Sequence, residues 1–132
     1  CKFSIPAAKL GIGYPVDAMT DIVATVGPAV AKELFFTAKV VEAEEALELG
    51  IVNAVSSKTE LETKVLKTAN TIAAGAPLTL TATKKAIAAV LHPQNRAIDD
   101  AYAAAEVCFD SEDYEEGVAA FLEKRKATFK GR

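Results

Sequence analysis

The sequence predicts an α/β chain in which helices dominate and only short pieces of sheet are present. Three observations lead to this class. Residues 29–55, AVAKELFFTAKVVEAEEALELGIVNAV, read as helix, extended link, short helix closed by a glycine, then strand. From Thr59 onward apolar residues recur at helical spacing in successive runs, punctuated by Gly75, His92-Pro93 and Ser111. Strand-like patterns are confined to residues 2–5, 39–41 and 51–55, each too short for a free-standing sheet. Residues 1–56 are therefore expected to join a sheet, most of it outside this chain, to a helical region formed by residues 57–132.

The elements follow in order. Residues 2–5 alternate, with Phe3 and Ile5 on one face, and Pro6 ends the strand. Residues 7–13 form a turn region rich in small side chains, containing Gly11 and Gly13. Pro15 suits the first position of a helix running to about Val26, and Gly27-Pro28 breaks it. Residues 29–36 carry apolar side chains on more than one face and predict a buried helix. Residues 39–41 are short and β-branched, suited to an edge strand. Residues 42–49 repeat Ala43, Ala46, Leu47 and Leu49, with Gly50 at the left-handed C-terminal position, and residues 51–55 return as a strand.

In the helical region, Thr59 and Glu62 form a capping box before a helix carrying Leu61, Val65, Leu66, Ala69, Ile72 and Ala73. Pro77 opens the next helix, with Leu80, Lys84, Ile87 and Leu91, which ends at His92-Pro93. Residues 97–109 are alanine-rich and helical. Ser111 can cap a last helix with a stripe of Tyr114, Val118, Phe121, Leu122 and Arg125. Residues 126–132 are a basic tail, expected at that helix's C-terminus, where the dipole favours positive charge.

Composition excludes several classes. The 132 residues are 51% hydrophobic, ample for a core, and 15 basic against 18 acidic side chains leave a net charge of −3. There is no basic stripe interleaved with aromatics, so no nucleic-acid partner is predicted. No apolar run reaches the ~18 residues of a membrane span, so no membrane partner is predicted either. Cys1 and Cys108 make no disulfide framework, and a reduced, cytoplasmic setting is expected. The chain opens on Cys1 without Met, already in strand-like sequence, and reads as a fragment.

Motifs of common catalytic or metal chemistry are sparse. His92 is the single histidine, at a helix end, and there is no Cys-x-x-Cys, so no metal site is predicted. Gly11-x-Gly13 lacks the rest of a dinucleotide fingerprint and reads as a turn. Ser4, Ser56, Ser57 and Ser111 lie outside any nucleophile elbow. Two constellations remain. Asp17 and Asp21 lie a turn apart at a helix start after a glycine-rich turn, where they either complement the dipole or border a pocket. Phe121-x-x-Lys124-Arg125-Lys126 would put a ring and an ammonium on one helix face. There they could hold a planar base and a phosphate, or be a core phenylalanine with solvated lysines.

The series FSIPAAKLGIGY, VGPAVAKELFFTAKVVEAEEALELGIVNAV, the proline-led helix with Lys84-Lys85-Ala86-Ile87, and SEDYEEGVAAFLEKRKATF resembles the C-terminal half of the crotonase superfamily. This is the enoyl-CoA hydratase/isomerase family. The resemblance runs through essentially all 132 residues in order, most specifically AEEALELGIVNAV and EGVAAFLEKR.

It implies a ClpP/crotonase spiral of ββα turns, of which residues 1–56 would be the end. Residues 57–132 would be the helical trimerisation region that also caps coenzyme A, in a homotrimer or hexamer. It further implies an acyl-CoA thioester as substrate, with no prosthetic group, and an enolate stabilised by backbone N–H groups. Those donors, and the first hydratase glutamate, belong to family sequence preceding this chain, which alone is then expected to be inactive.

The second hydratase glutamate corresponds to Ala7, which carries no proton, so hydration is put in question. Asp17 falls near the aspartate of dienoyl-CoA isomerases and is the candidate acid/base, with a pKa raised by partial burial. Phe121 and Lys124 match contacts to the adenine and phosphates of coenzyme A. Tyr14 is a candidate for the same ligand, Phe35 and Phe36 are expected in the core, and residues 97–109 at the trimer interface. The resemblance implies enolate-stabilising hydration or isomerisation, with decarboxylation and thioester cleavage equally open. The alternatives are a non-catalytic acyl-CoA-binding subunit or an oligomerisation module.

Overall fold

The computed structural model describes residues 1–132, the side chain of Asn95 excepted, and the chain divides into two units, Cys1–Ser57 and Lys58–Arg132. Among the described residues the elements are β1 (Lys2–Phe3), α1 (Ala7–Leu10), α2 (Val16–Thr37), β2 (Val41–Glu42), α3 (Ala43–Glu48), α4 (Leu61–Ala73), α5 (Pro77–Leu91), α6 (Asn95–Phe109) and α7 (Glu112–Leu122). Helix dominates, as the periodicity predicts.

In the first unit, β1 and β2 pair antiparallel, Lys2 opposite Glu42 and Phe3 opposite Val41. The pairing stops short of the predicted residues 2–5. Ser4 Oγ donates instead to the Ala38 carbonyl at 3.3 Å, and Pro6 brings no N–H to a ladder. The expected turn at residues 7–13 contains the short helix α1, closed by Gly11 at φ 66. Pro15 stands just before α2 rather than inside it. The break at Gly27-Pro28 is a kink within α2: Gly27 has φ 75 and ψ 162, a region essentially restricted to glycine.

Residues 51–55 are not a strand. The N–H groups of Ile51 and Val52 both turn back onto the Ala46 carbonyl, at 2.9 and 3.3 Å, and so are spent on closing α3. Gly50, at φ 75, makes that reversal possible. Leu34, Val41 and Ala46 form the core, with Phe3, Ile5, Val26, Val30, Leu49, Ile51 and Val52 packed around them. Lys39 bridges Glu33 of α2 and Glu45 of α3 at 2.7 and 2.9 Å. Phe35 is buried, whereas Phe36, expected in the core, is 74% exposed, because the kinked helix buries only one face of this segment.

In the second unit α5 and α6 form the main packed pair, joined by a short connection after His92. Ala82 and Ala89 of α5 are buried. α4 buries none of its residues, and its apolar stripe is exposed. Glu60, in an αR conformation, holds the position before its first residue, with no side-chain cap of its own. α6 begins at Asn95, earlier than residue 97. Ser111 caps α7 as expected: its Oγ accepts from Tyr114 N–H at 3.1 Å and donates to the Cys108 carbonyl at 2.6 Å.

The basic tail departs most from expectation. It does not stay at the C-terminus of α7 but runs back to its N-terminus. Lys130 and Gly131 N–H groups donate to Asp113 Oδ1 and Oδ2 at 2.6 and 2.8 Å, and Arg132 Nε lies 3.1 Å from Glu112 Oε2. Glu112, Asp113 and Glu115 fill the first turn of α7 with negative charge. That charge, added to the free donors of the tail backbone, outweighs the weak attraction of the helix C-terminus. Phe129 crosses Gly117, where a Cβ would lie 3.6 Å from its ring. No helix is long and apolar enough to cross a membrane, and no cluster able to hold a metal ion is found among the described residues.

Candidate functional site

The predicted site residues fall in both units. In the first, Ala7 is buried, 5% exposed, at the first position of α1. A methyl group there leaves nothing to donate or accept a proton. Tyr14 packs its ring edge-on against Phe35, centroids 4.9 Å apart at 83°, so an aromatic pair joins the loop after α1 to the second half of α2.

Asp17 lies in the first turn of α2 and is exposed, not partly buried as expected. Its position one residue inside the helix lets its carboxylate reach solvent while complementing the dipole. Asp21, one turn on, borders a cavity of about 550 Å³ whose other walls include Phe3, Ile22, Leu34 and Val41.

In the second unit Phe121 sits on the last turn of α7 and is 83% exposed. It is neither a core residue nor on one helix face with Lys124, because α7 ends at Leu122. Lys124 lies past the end with φ 54. Its N–H donates to the Phe121 carbonyl at 3.3 Å, and Arg125 N–H to the Ala120 carbonyl at 3.0 Å. This is the Schellman closure of a helix, in which glycine usually takes the left-handed position. The turn keeps the Lys124 backbone within hydrogen-bond reach of the Phe121 carbonyl. Phe121 lines a cleft of about 640 Å³ whose other walls include Phe109, Tyr114, Val118 and Phe129.

Glu116 and Arg125 are the two ends of the EGVAAFLEKR motif, but their pairing is not readable from it. Arg125 Nη1 and Nη2 grip Glu116 Oε1 and Oε2 at 2.6 and 2.8 Å, and Arg125 Nε contacts Glu123 Oε2 at 2.5 Å. Glu116 also accepts the Thr128 N–H at 2.8 Å. The Arg125 guanidinium, helped by that backbone donor, holds the Glu116 carboxyl down to about 2, and the two glutamates raise Arg125. The pair spans the end of the helix, so periodicity carries no trace of it. The only signal is acidic residues early in α7 followed by a basic tail.

The sequence pattern described as Enoyl-CoA hydratase/isomerase matches residues 1–132. The chain belongs to the enoyl-CoA hydratase/isomerase family. It is 36% identical over 132 residues to Methylmalonyl-CoA decarboxylase from Escherichia coli K12, covering 98% of this chain and 51% of that protein. It is 37% identical over 129 residues to Crotonyl-CoA hydratase from Syntrophomonas wolfei, covering 97% of this chain and 50% of that protein. Among solved structures it superposes on enoyl-CoA hydratase from Bacillus anthracis with a TM-score of 0.85 at 28% identity, over 100% of this chain and 52% of that one. The chain thus spans about half the length of these relatives. Its structural neighbours are crotonase-like, and the half of them that this chain matches is mostly helical here.

Proposed function

We propose that this chain forms part of an enzyme that processes acyl-CoA thioesters through an enolate, by hydration or isomerisation, and that it supplies the coenzyme A side of the site. One observation carries this reading: an aromatic ring left 83% exposed at the end of α7, next to an exposed lysine on the helix-closing turn. A ring in water stacks on adenine, and an ammonium beside it meets phosphate. Tyr14, wedged against Phe35, would face the acyl side. The N–H donors that stabilise the enolate, by family resemblance, come from sequence outside this chain, so these residues alone do not turn over substrate. The second unit, with its apolar α4 face and small-residue helix pair, is the assembly region of a trimer or hexamer. Fatty acid metabolism in the cytoplasm is the matching setting.

Buried Ala7 favours a second reading of the reaction. Syn-hydration needs a proton carrier there, and in the isomerisation reading that role passes to Asp17. Decarboxylation needs no base to reach the enolate: the electrons of the bond to the leaving CO2 become the enolate pair. One relative at 36% identity carries the name Methylmalonyl-CoA decarboxylase. The test is to titrate the full-length protein with coenzyme A and then assay crotonyl-CoA and methylmalonyl-CoA as substrates. Phe121→Ala is expected to weaken coenzyme A by about tenfold, since stacking on one base is worth ~1–3 kcal/mol. Binding without turnover of any acyl-CoA would favour the non-catalytic subunit. No binding at all would leave an oligomerisation module.

A further inference from the structure

Lys124 occupies the position after α7 where a left-handed backbone favours glycine, and it does so at φ 54 with an exposed side chain. A residue with a Cβ holds such a conformation only where its surroundings over-determine it. Here they do. Arg125, the next residue, is fixed from two sides, by Glu116 through a two-pronged fork and by Glu123 through Nε. Glu116 in turn holds the Thr128 N–H, so both ends of residues 125–128 are tied to one carboxylate on α7. Lys124 Nζ makes no ion pair with any described residue. The turn is braced, and the lysine it presents is left uncommitted.

We propose that Glu116 and Arg125 are positioning residues for coenzyme A: they lock the turn from which the exposed Lys124 and, at the end of α7, the exposed Phe121 reach the ligand. The inference rests on the coenzyme A reading above and adds how that subsite is held in place. Neither residue needs to touch the ligand. Arg125 is committed to carboxylates through Nη1, Nη2 and Nε, and Glu116 would repel a phosphate.

The experiment is calorimetric titration of the full-length protein with coenzyme A, using Glu116→Gln, Arg125→Lys, Lys124→Ala, Phe121→Ala and the double variant Glu116→Gln/Lys124→Ala. Glu116→Gln keeps the shape of the side chain but loses the charged fork, and Arg125→Lys keeps the charge but cannot fork. Lys124→Ala is expected to weaken coenzyme A about tenfold, the scale of one charge-assisted contact. Glu116→Gln and Arg125→Lys should each weaken it about fivefold, and the double variant should match Lys124→Ala within about twofold, because the brace acts only through the lysine. The proposal is overturned if Glu116→Gln leaves the affinity unchanged, or if its loss multiplies with that of Lys124→Ala. If Lys124→Ala and Phe121→Ala both bind coenzyme A as the parent does, the coenzyme A reading itself fails and takes the brace with it.

Discussion

Asp113→Asn isolates the contact that returns the tail to α7. The Asp113 carboxylate is buried and spends one oxygen on each of two backbone donors, Lys130 N–H at 2.6 Å and Gly131 N–H at 2.8 Å. Asparagine has the same shape but a single acceptor oxygen. Its NH2 group must face one of the two N–H donors, so one contact becomes donor against donor. A hydrogen bond to a charged group is worth ~1.5–3 kcal/mol, and a buried donor left unpaired adds its own penalty. The remaining anchors, Lys130 and Arg132 to Glu112, the Thr128 N–H on Glu116 and the long 3.3 Å bond from the Asp113 N–H to the Arg132 carbonyl, offset little. A net loss of about 2 kcal/mol corresponds to about 30-fold faster local opening. Amide hydrogen exchange at Lys130 and Gly131, read residue by residue, is the assay. Rates within a factor of about two of the parent would refute the assignment of the tail's stability to this carboxylate.

Two further outcomes follow from the same geometry. Leu34 is 4% exposed against Val41 and Ala46 in the first unit, so Leu34→Ala should destabilise the protein by ~2–5 kcal/mol in denaturant unfolding, and a cost below about 1 kcal/mol would mean that this core is not closed. Glu116 has a carboxyl held at about 2 in the folded chain against an ordinary 4.5. The folded state therefore resists its protonation, so its contribution is complete above about pH 4.5 and is lost as pH falls toward about 2. Protection of the Thr128 amide should fall across that interval in the parent and stay flat in Glu116→Gln; parallel curves would remove Glu116 as the cause.

The site was legible in unequal parts. Phe121, Lys124 and Tyr14 could be singled out because their motifs resemble those of a family. The brace around Lys124 could not, because Glu116 and Arg125 meet only once the chain has left the helix and closed on itself. Asp17 shows the converse. A carboxylate in a first turn is readable as a pattern, but its burial depends on what packs over it, and it is exposed.

What the sequence by itself determined is the helical punctuation. Pro77 opening α5, His92 closing it, Ser111 capping α7, the kink at Gly27 and the reversal at Gly50 all appear where local chemistry puts them. A helix satisfies its backbone within a few residues, so its limits are written in neighbouring side chains. The tertiary structure alone decided the rest. Residues 51–55 have strand composition but pair with no strand among the described residues, where β1 pairs with β2 alone. Residues 126–132 are charged for a helix C-terminus, yet they bind at its N-terminus. Strand pairing and tail docking need partners distant in sequence, and nothing local specifies which donor meets which acceptor.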